Sequence, residues 1–290
     1  MNRITNDLDR AAAFRHLLIF ALIVVASLLV GMLINQGVQW WLGDAGDPLS
    51  TPRLRLSLMI LHSFSFLVPS IIFIILFYRI DPGYYLILDK PVTFQWLLVG
   101  VVMLFVSMPL IQYSYVINQM VPLPSWMTQM ETETNTTIQR MLKMERPSIL
   151  LMNLLLMAVL PAIGEELLFR GIIQKIGYKM LHNPSISVWL TALLFSAIHF
   201  QFEGFLPRFL LGLFLGYLFY WTKQLLLPMI VHFVNNATMV LAAYISPESM
   251  LAVDSSTIDM PIYVVFISLL LLIPLVLFFR NVQRQMETAS

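Results

Sequence analysis

Cysteine is absent from the 290 residues, which excludes disulfides, thiolate metal sites and cysteine nucleophiles and leaves the redox compartment unaddressed. Charge is scarce as well, at 11% against about 25% in an ordinary soluble domain. The formal net charge is only +1 and no basic stripe runs through the chain, so no nucleic-acid partner is expected. Internal repeats, low-complexity tracts and an HExxH spacing are also lacking. Nor does the N-terminus read as a cleaved signal peptide. Arg3, Arg10 and Arg15 precede an apolar run from Leu17 to Ile34 that is of span length, has no small-residue cleavage site and is followed by Trp40-Trp41, an interfacial aromatic anchor.

What is present is hydrophobicity, 59% of all residues. The length is spent on spans rather than on soluble domains. The expectation is all-α, a polytopic transmembrane helical bundle of about eight spans forming one integral domain. After the first span come Leu56 to Tyr78, with His62 and Pro69 inside it, and Phe94 to Ile117, preceded by an Asp81-Pro82-Gly83 turn signature. Pro69 reads as a kink rather than an end, and His62, standing alone, as a packing or hydrogen-bonding group. The polar stretch Asn118 to Pro147 is compatible with a short amphipathic helix on the bilayer surface. Its charges, Glu131 among them, read as a solvated face without chemistry. Span four runs from Ile149 to about Ile173, span five from Ile186 to Phe200, span six from Phe209 to Trp221 and span seven from Leu226 to Tyr244. A tight join at Lys223-Gln224 makes six and seven a hairpin. Span eight, Pro261 to Phe279, follows a polar loop with Glu248, Asp254 and Asp259. The spacing of Gly212 and Gly216 lets two helices approach closely and reads as packing.

Basic residues set the orientation. Arg3, Arg10, Arg15, Arg79, Lys90, Lys175, Lys179, Lys223, Arg280 and Arg284 fall on one side. Arg53, Arg55, Arg140, Lys143, Arg146 and Arg208 fall on the other. The imbalance favours both termini in the cytoplasm.

Within span four, Pro161 to Gly171 places Glu165, Glu166 and Arg170 in an otherwise apolar run. Each ionisable group there costs about 2.5–3.5 kcal/mol on insertion scales, so it needs a partner and a purpose. Glu166 and Arg170 are four apart with the acid first, the favourable order for an intrahelical ion pair. Glu165 lies about 100° around the helix and is left over. A partly desolvated, unpaired carboxylate is suited to taking a proton from water. His199 ends span five, and His232 and Asn236 share one face of span seven. If these helices bundle, spans four, five and seven assemble an active site. At about 1.5 Å per residue, however, His199 would lie roughly 20 Å deep and His232 roughly 10 Å deep if both spans start at one surface.

In order along successive helices, Glu165-Glu166 with Arg170 fit EExxxR, Phe195 with His199 fit FxxxH, and His232 with Asn236 fit HxxxN. This set resembles the CPBP family, the CAAX prenyl-protease and bacteriocin-processing enzymes also called the Abi family, over roughly Leu151 to Ala243. The resemblance implies an intramembrane endopeptidase hydrolysing a peptide bond of a membrane-associated protein or peptide in a bacterial cytoplasmic membrane. It implies that Glu165 activates water, that His199 binds and orients it, and that His232 and Asn236 stabilise the oxyanion. Glu166 with Arg170 would hold the helix and tune the base. On this view the chain divides into 1–147, a catalytic core at 148–245, and a C-terminal span and tail at 246–290. No cofactor is firmly implied. If a divalent metal such as zinc binds, Glu165, His199 and His232 are its ligands, although Glu165 could not readily be ligand and base together. Two other readings stay open: a bacteriocin-immunity or adaptor protein that acts by binding, and a transporter using these groups as a proton relay, for which no inverted repeat speaks.

Overall fold

The computed structural model describes residues 3–43, 51–78, 92–247 and 261–288. The Asp81-Pro82-Gly83 turn and the acidic loop with Glu248, Asp254 and Asp259 lie outside them. Among the described residues there is no strand. Helix α1 is Arg3–Trp41, α2 covers 51–78, α3 is Phe94–Gln119, α4 Ser125–Leu142, α5 Pro147–Leu181, α6 Pro184–Ala197, α7 Phe205–Thr222, α8 Leu226–Ile245 and α9 Ile262–Thr288. The chain is an integral membrane protein. Seven of the described helices are long and apolar enough to cross a bilayer, and α4 is the amphipathic one.

Span five differs from expectation. α6 has 14 residues, about 21 Å at 1.5 Å each, short of a hydrocarbon core of about 30 Å. It starts cleanly, with Pro184 in its first turn and the Asn183 side chain accepting from the Ile186 N–H. It ends at Ala197 rather than Phe200, because Phe200 adopts a left-handed φ of 51° and closes the turn. The join after α7 is the expected hairpin. Lys223, at φ 52°, caps the helix by donating its N–H to the Phe219 carbonyl.

Two long helices are not uniformly α. Widened π turns occur at Ser63–Leu67 in α2 and at Leu155–Val159 and Leu167–Ile173 in α5. The first two lie just ahead of Pro69 and Pro161, where a residue without an N–H cannot complete the ordinary ladder. Both helices continue through their prolines, as expected for Pro69.

The core has two parts. Phe20, Phe73, Phe169 and Phe195 belong to one cluster, which ties α1 and α2 to α5 and α6. Met103, Leu104, Leu215, Leu218 and Phe279 belong to the other, which ties α3 and α9 to α7. Between them α6 and α7 pack closely. A Cβ on Gly212 would lie 3.1 Å from Ala192, and one on Gly216 would lie 2.9 Å from Val188. The glycine pair serves packing, as expected, and also bares two carbonyls that α5 uses.

Candidate active site

Glu165 and Glu166 end the α segment Leu160–Glu166 of α5, which is bounded on both sides by π turns. The expected ion pair is present: Arg170 Nη1 lies 2.7 Å from Glu166 Oε1, both side chains fully buried. Arg170 also donates from Nη2 to the Gly212 carbonyl at 3.0 Å, and its guanidinium lies 4.9 Å from the Phe195 ring centroid. One turn on, Gln174 Nε2 donates to the Gly216 carbonyl at 3.0 Å. One donor of each of these two buried α5 side chains is thus met by a glycine carbonyl of α7, while Arg170 Nε and Gln174 Oε1 have no hydrogen-bond partner among the described residues.

Glu166 does more than neutralise Arg170. His232 Nδ1 is 2.9 Å from the same Oε1. An ionised carboxylate only accepts, so Nδ1 carries the proton and Nε2 faces the site. His199 is fixed the same way, its Nδ1 2.7 Å from the Phe195 carbonyl. Both tautomers are assigned from these partners. Phe195 also packs edge-on against His199 and His232, with centroids 5.1 and 6.0 Å away.

The outcome is a convergence on Glu165. Its Oε2 lies 3.9 Å from His199 Nε2 and 4.0 Å from His232 Nε2. The carboxylate is nearly buried, and the His199 side chain, 25% exposed, is the more open of the two. No contact with Arg170 competes for Glu165 among the described hydrogen bonds. Asn236 lies one turn beyond His232 on α8 and is half-buried. Its Oδ1 accepts from Asn235 at 2.9 Å, which leaves its Nδ2 as the donor it can offer.

The depth mismatch expected between His199 and His232 is not present, since both Nε2 atoms lie within 4.0 Å of one Glu165 oxygen. α6 stops at Ala197, so His199 rides on the connection 198–204 rather than on a full-length helix. α8 begins inside the protein, with Leu225 and Leu227 fully buried.

That connection is braced from three helices. Asn118 of α3 donates to the Phe202 carbonyl at 2.7 Å and accepts from the Leu206 N–H at 2.9 Å. Glu131 of α4 accepts from the Glu203 N–H at 2.9 Å, and Trp126 meets Phe202 edge-on at 5.6 Å. Arg208 of α7 donates to the Gln201 side chain and carbonyl. The stretch 118–147 is therefore not simply a solvated face, because Glu131 is buried.

Two residues acquire a place near the site that no motif signalled. His62 packs against Phe66, ring centroids 4.6 Å apart and tilted by 34°, which fits a packing role. Its Nε2 is also 3.5 Å from where a Gly164 Cβ would be, and its imidazole is within electrostatic reach of Glu165, His199 and His232. Arg208 is within reach of Glu165 and His199. Intramembrane ionisability was the available signal in each case. Among the described residues, no three His, Cys, Asp or Glu side chains form a group able to hold a metal ion.

Residues 147–238 match the sequence model of the family described as type II CAAX prenyl endopeptidase Rce1-like. The matched segment holds the EExxxR, FxxxH and HxxxN residues on which the resemblance rests. Similar too is "Uncharacterized protein YpbD" of Bacillus subtilis (strain 168), 31% identical over 89 residues, which are 29% of this chain and 42% of that protein. The chain thus spans less than half the length of the curated relative it matches. No solved structure matches.

Proposed function

Starting from residues 147–238 as a segment of Rce1-like type, we propose that the chain is an intramembrane endopeptidase that cleaves a peptide bond of a membrane-associated protein or peptide by direct attack of water. The observation that carries this reading is the approach of two histidine Nε2 atoms to one oxygen of Glu165. A water in contact with that oxygen and with His199 loses a proton to Glu165 while its oxygen adds to the scissile carbonyl carbon. Asn236 Nδ2 donates to the developing oxyanion. His232, its ring oriented by Glu166 at Nδ1, joins Asn236 at the oxyanion when its Nε2 carries a proton. Glu165 then passes its proton to the leaving nitrogen as the C–N bond breaks, so protons and electrons balance. Arg170 and Glu166 act through His232 and the α5 backbone, not on the substrate. The mechanism requires no metal.

The experiment is peptide cleavage by purified protein in detergent. Glu165→Gln keeps the shape and removes the base, and activity should fall at least a hundredfold, within the 10²–10⁴-fold range of general-base catalysis. Unimpaired cleavage by Glu165→Gln would falsify the assignment of the base. Wild-type cleavage that persists in chelator supports the metal-free route, and loss that zinc restores overturns it. A protein acting only by binding would keep its cellular effect in Glu165→Gln.

A further inference from the structure

A cavity of about 470 Å³ lies beneath α4, within the size range of ligand pockets. Leu58 of α2, Met157 of α5, Met130, Ile138 and Met141 of α4, and Gln201 line it. Gln201 is two residues from His199, on the same braced connection. Leu58 is one turn from His62 on α2, and Met157 is about two turns ahead of Glu165 on α5. The cavity and the site therefore share helices and share the connection 198–204. His199, the more open of the Glu165–His199 pair, is two residues from Gln201 in the shared wall.

The helix α4 that walls the cavity lies on one face of the bundle. Successive spans place the 119–147 segment with α4 and the connection 198–204 on the same face. The joins after Leu181 and Thr222 fall on the opposite one. The sequence count of basic residues is six on the α4 face and ten on the other. Of the six basic residues assigned to the α4 face, Arg55 is buried and bonded to Asn153. Arg208 is turned inward onto Gln201. Arg53, Arg140, Lys143 and Arg146 remain as its flanking charges, and on the other face Lys175 is likewise drawn in, over the Phe219 ring. By the positive-inside rule the α4 face is the outer one.

Resting on the endopeptidase reading above, we infer that the site is reached from outside the cytoplasm through the cavity beneath α4. Its substrate is an extended, extracytoplasmic peptide segment that seats an apolar side chain there. Three methionines in the wall suit a pocket that accepts varied apolar side chains, since their unbranched thioethers re-pack readily. The polar wall, which includes Thr137, accommodates the peptide backbone.

Because the chain has no cysteine, a single introduced thiol reports its own surroundings. Thr137→Cys and, on the opposite face, Lys179→Cys would be exposed to a membrane-impermeant maleimide in intact cells. Thr134→Cys, on the same wall of the cavity, serves if Thr137→Cys does not accumulate. The inference expects the cavity thiol to label before lysis and Lys179→Cys only after it. It further expects maleimide-modified Thr137→Cys to cleave a quenched fluorescent peptide at least tenfold more slowly than the same unmodified protein. That probe is one that the wild type cuts and Glu165→Gln spares. Modified Lys179→Cys should cleave at its unmodified rate. Labelling of Lys179→Cys before lysis, or full cleavage by modified Thr137→Cys, overturns the inference and leaves the protease reading intact. The latter falls only with the Glu165→Gln result.

Discussion

Glu166 is the residue on which two others depend. One of its oxygens serves Arg170 and His232 together, and all three side chains are buried. Removing one partner of a buried pair leaves a charge stranded and typically costs about 3–5 kcal/mol. Glu166→Gln should therefore lower the thermal unfolding midpoint in detergent and also slow cleavage, because the His232 ring loses the acceptor that fixes its orientation. Glu165→Gln should remove activity with little change in that midpoint, since Glu165 has no hydrogen bond among the described contacts and His199 Nε2 is 3.9 Å away. A stability loss shared equally by the two variants would contradict this division. The Glu166–Arg170 pair was legible from the i, i+4 spacing, and so was the surplus of Glu165. His232 as the second partner of Glu166 was not, because spacing along one helix carries no information about a ring 66 residues away. The nearness of His62 and Arg208 was hidden for the same reason.

Helix α5 is the element that organises the site, and its two π turns set which way each polar side chain faces. The prolines were visible in the sequence. The widened turns that accommodate them were not, since either a kink or a π turn satisfies the same chemical need. The register of α5 against α7 depends on close backbone approach. Gly216→Val would push methyl groups into Val188, already 2.9 Å from an added Cβ, and crowd the Gln174 side chain at 3.2 Å. Overpacking of this kind typically costs about 1–3 kcal/mol. The unfolding midpoint should drop, and activity should fall with it. An unchanged midpoint would mean that the helices are not in contact there.

At the level of the molecule, α4 is held at its C-terminal end by buried polar groups. Arg55 Nε donates to Asn153 Oδ1 at 3.0 Å, and Asn153 Nδ2 donates to the Met141 carbonyl at 2.5 Å. Leaving such groups without partners costs about 1–3 kcal/mol. Asn153→Ala should loosen α4, seen as faster proteolytic nicking between Lys143 and Pro147, and should slow cleavage if α4 walls the substrate site. The helical bundle and the family that residues 147–238 match were readable from apolar runs and an ordered motif set. The attachment of α4 was not, because its charges resemble an ordinary solvated face until Glu131 is seen to be buried.

The brevity of α6 has a further consequence for the lipid around it. Ile186, Trp189, Leu190, Leu193 and Leu194 are 45–50% exposed, so this short helix meets acyl chains directly. A gap of about 9 Å separates its length from an average hydrocarbon thickness. Hydrophobic mismatch costs fractions of a kcal/mol per Å and is relieved by local thinning of the bilayer. The leaflet beside α6 should dip towards Glu165, which shortens the path that water must travel to a buried carboxylate. In liposomes, cleavage should be faster in short-chain than in long-chain phosphatidylcholine, and equal rates across chain lengths would show that the bilayer does not deform there.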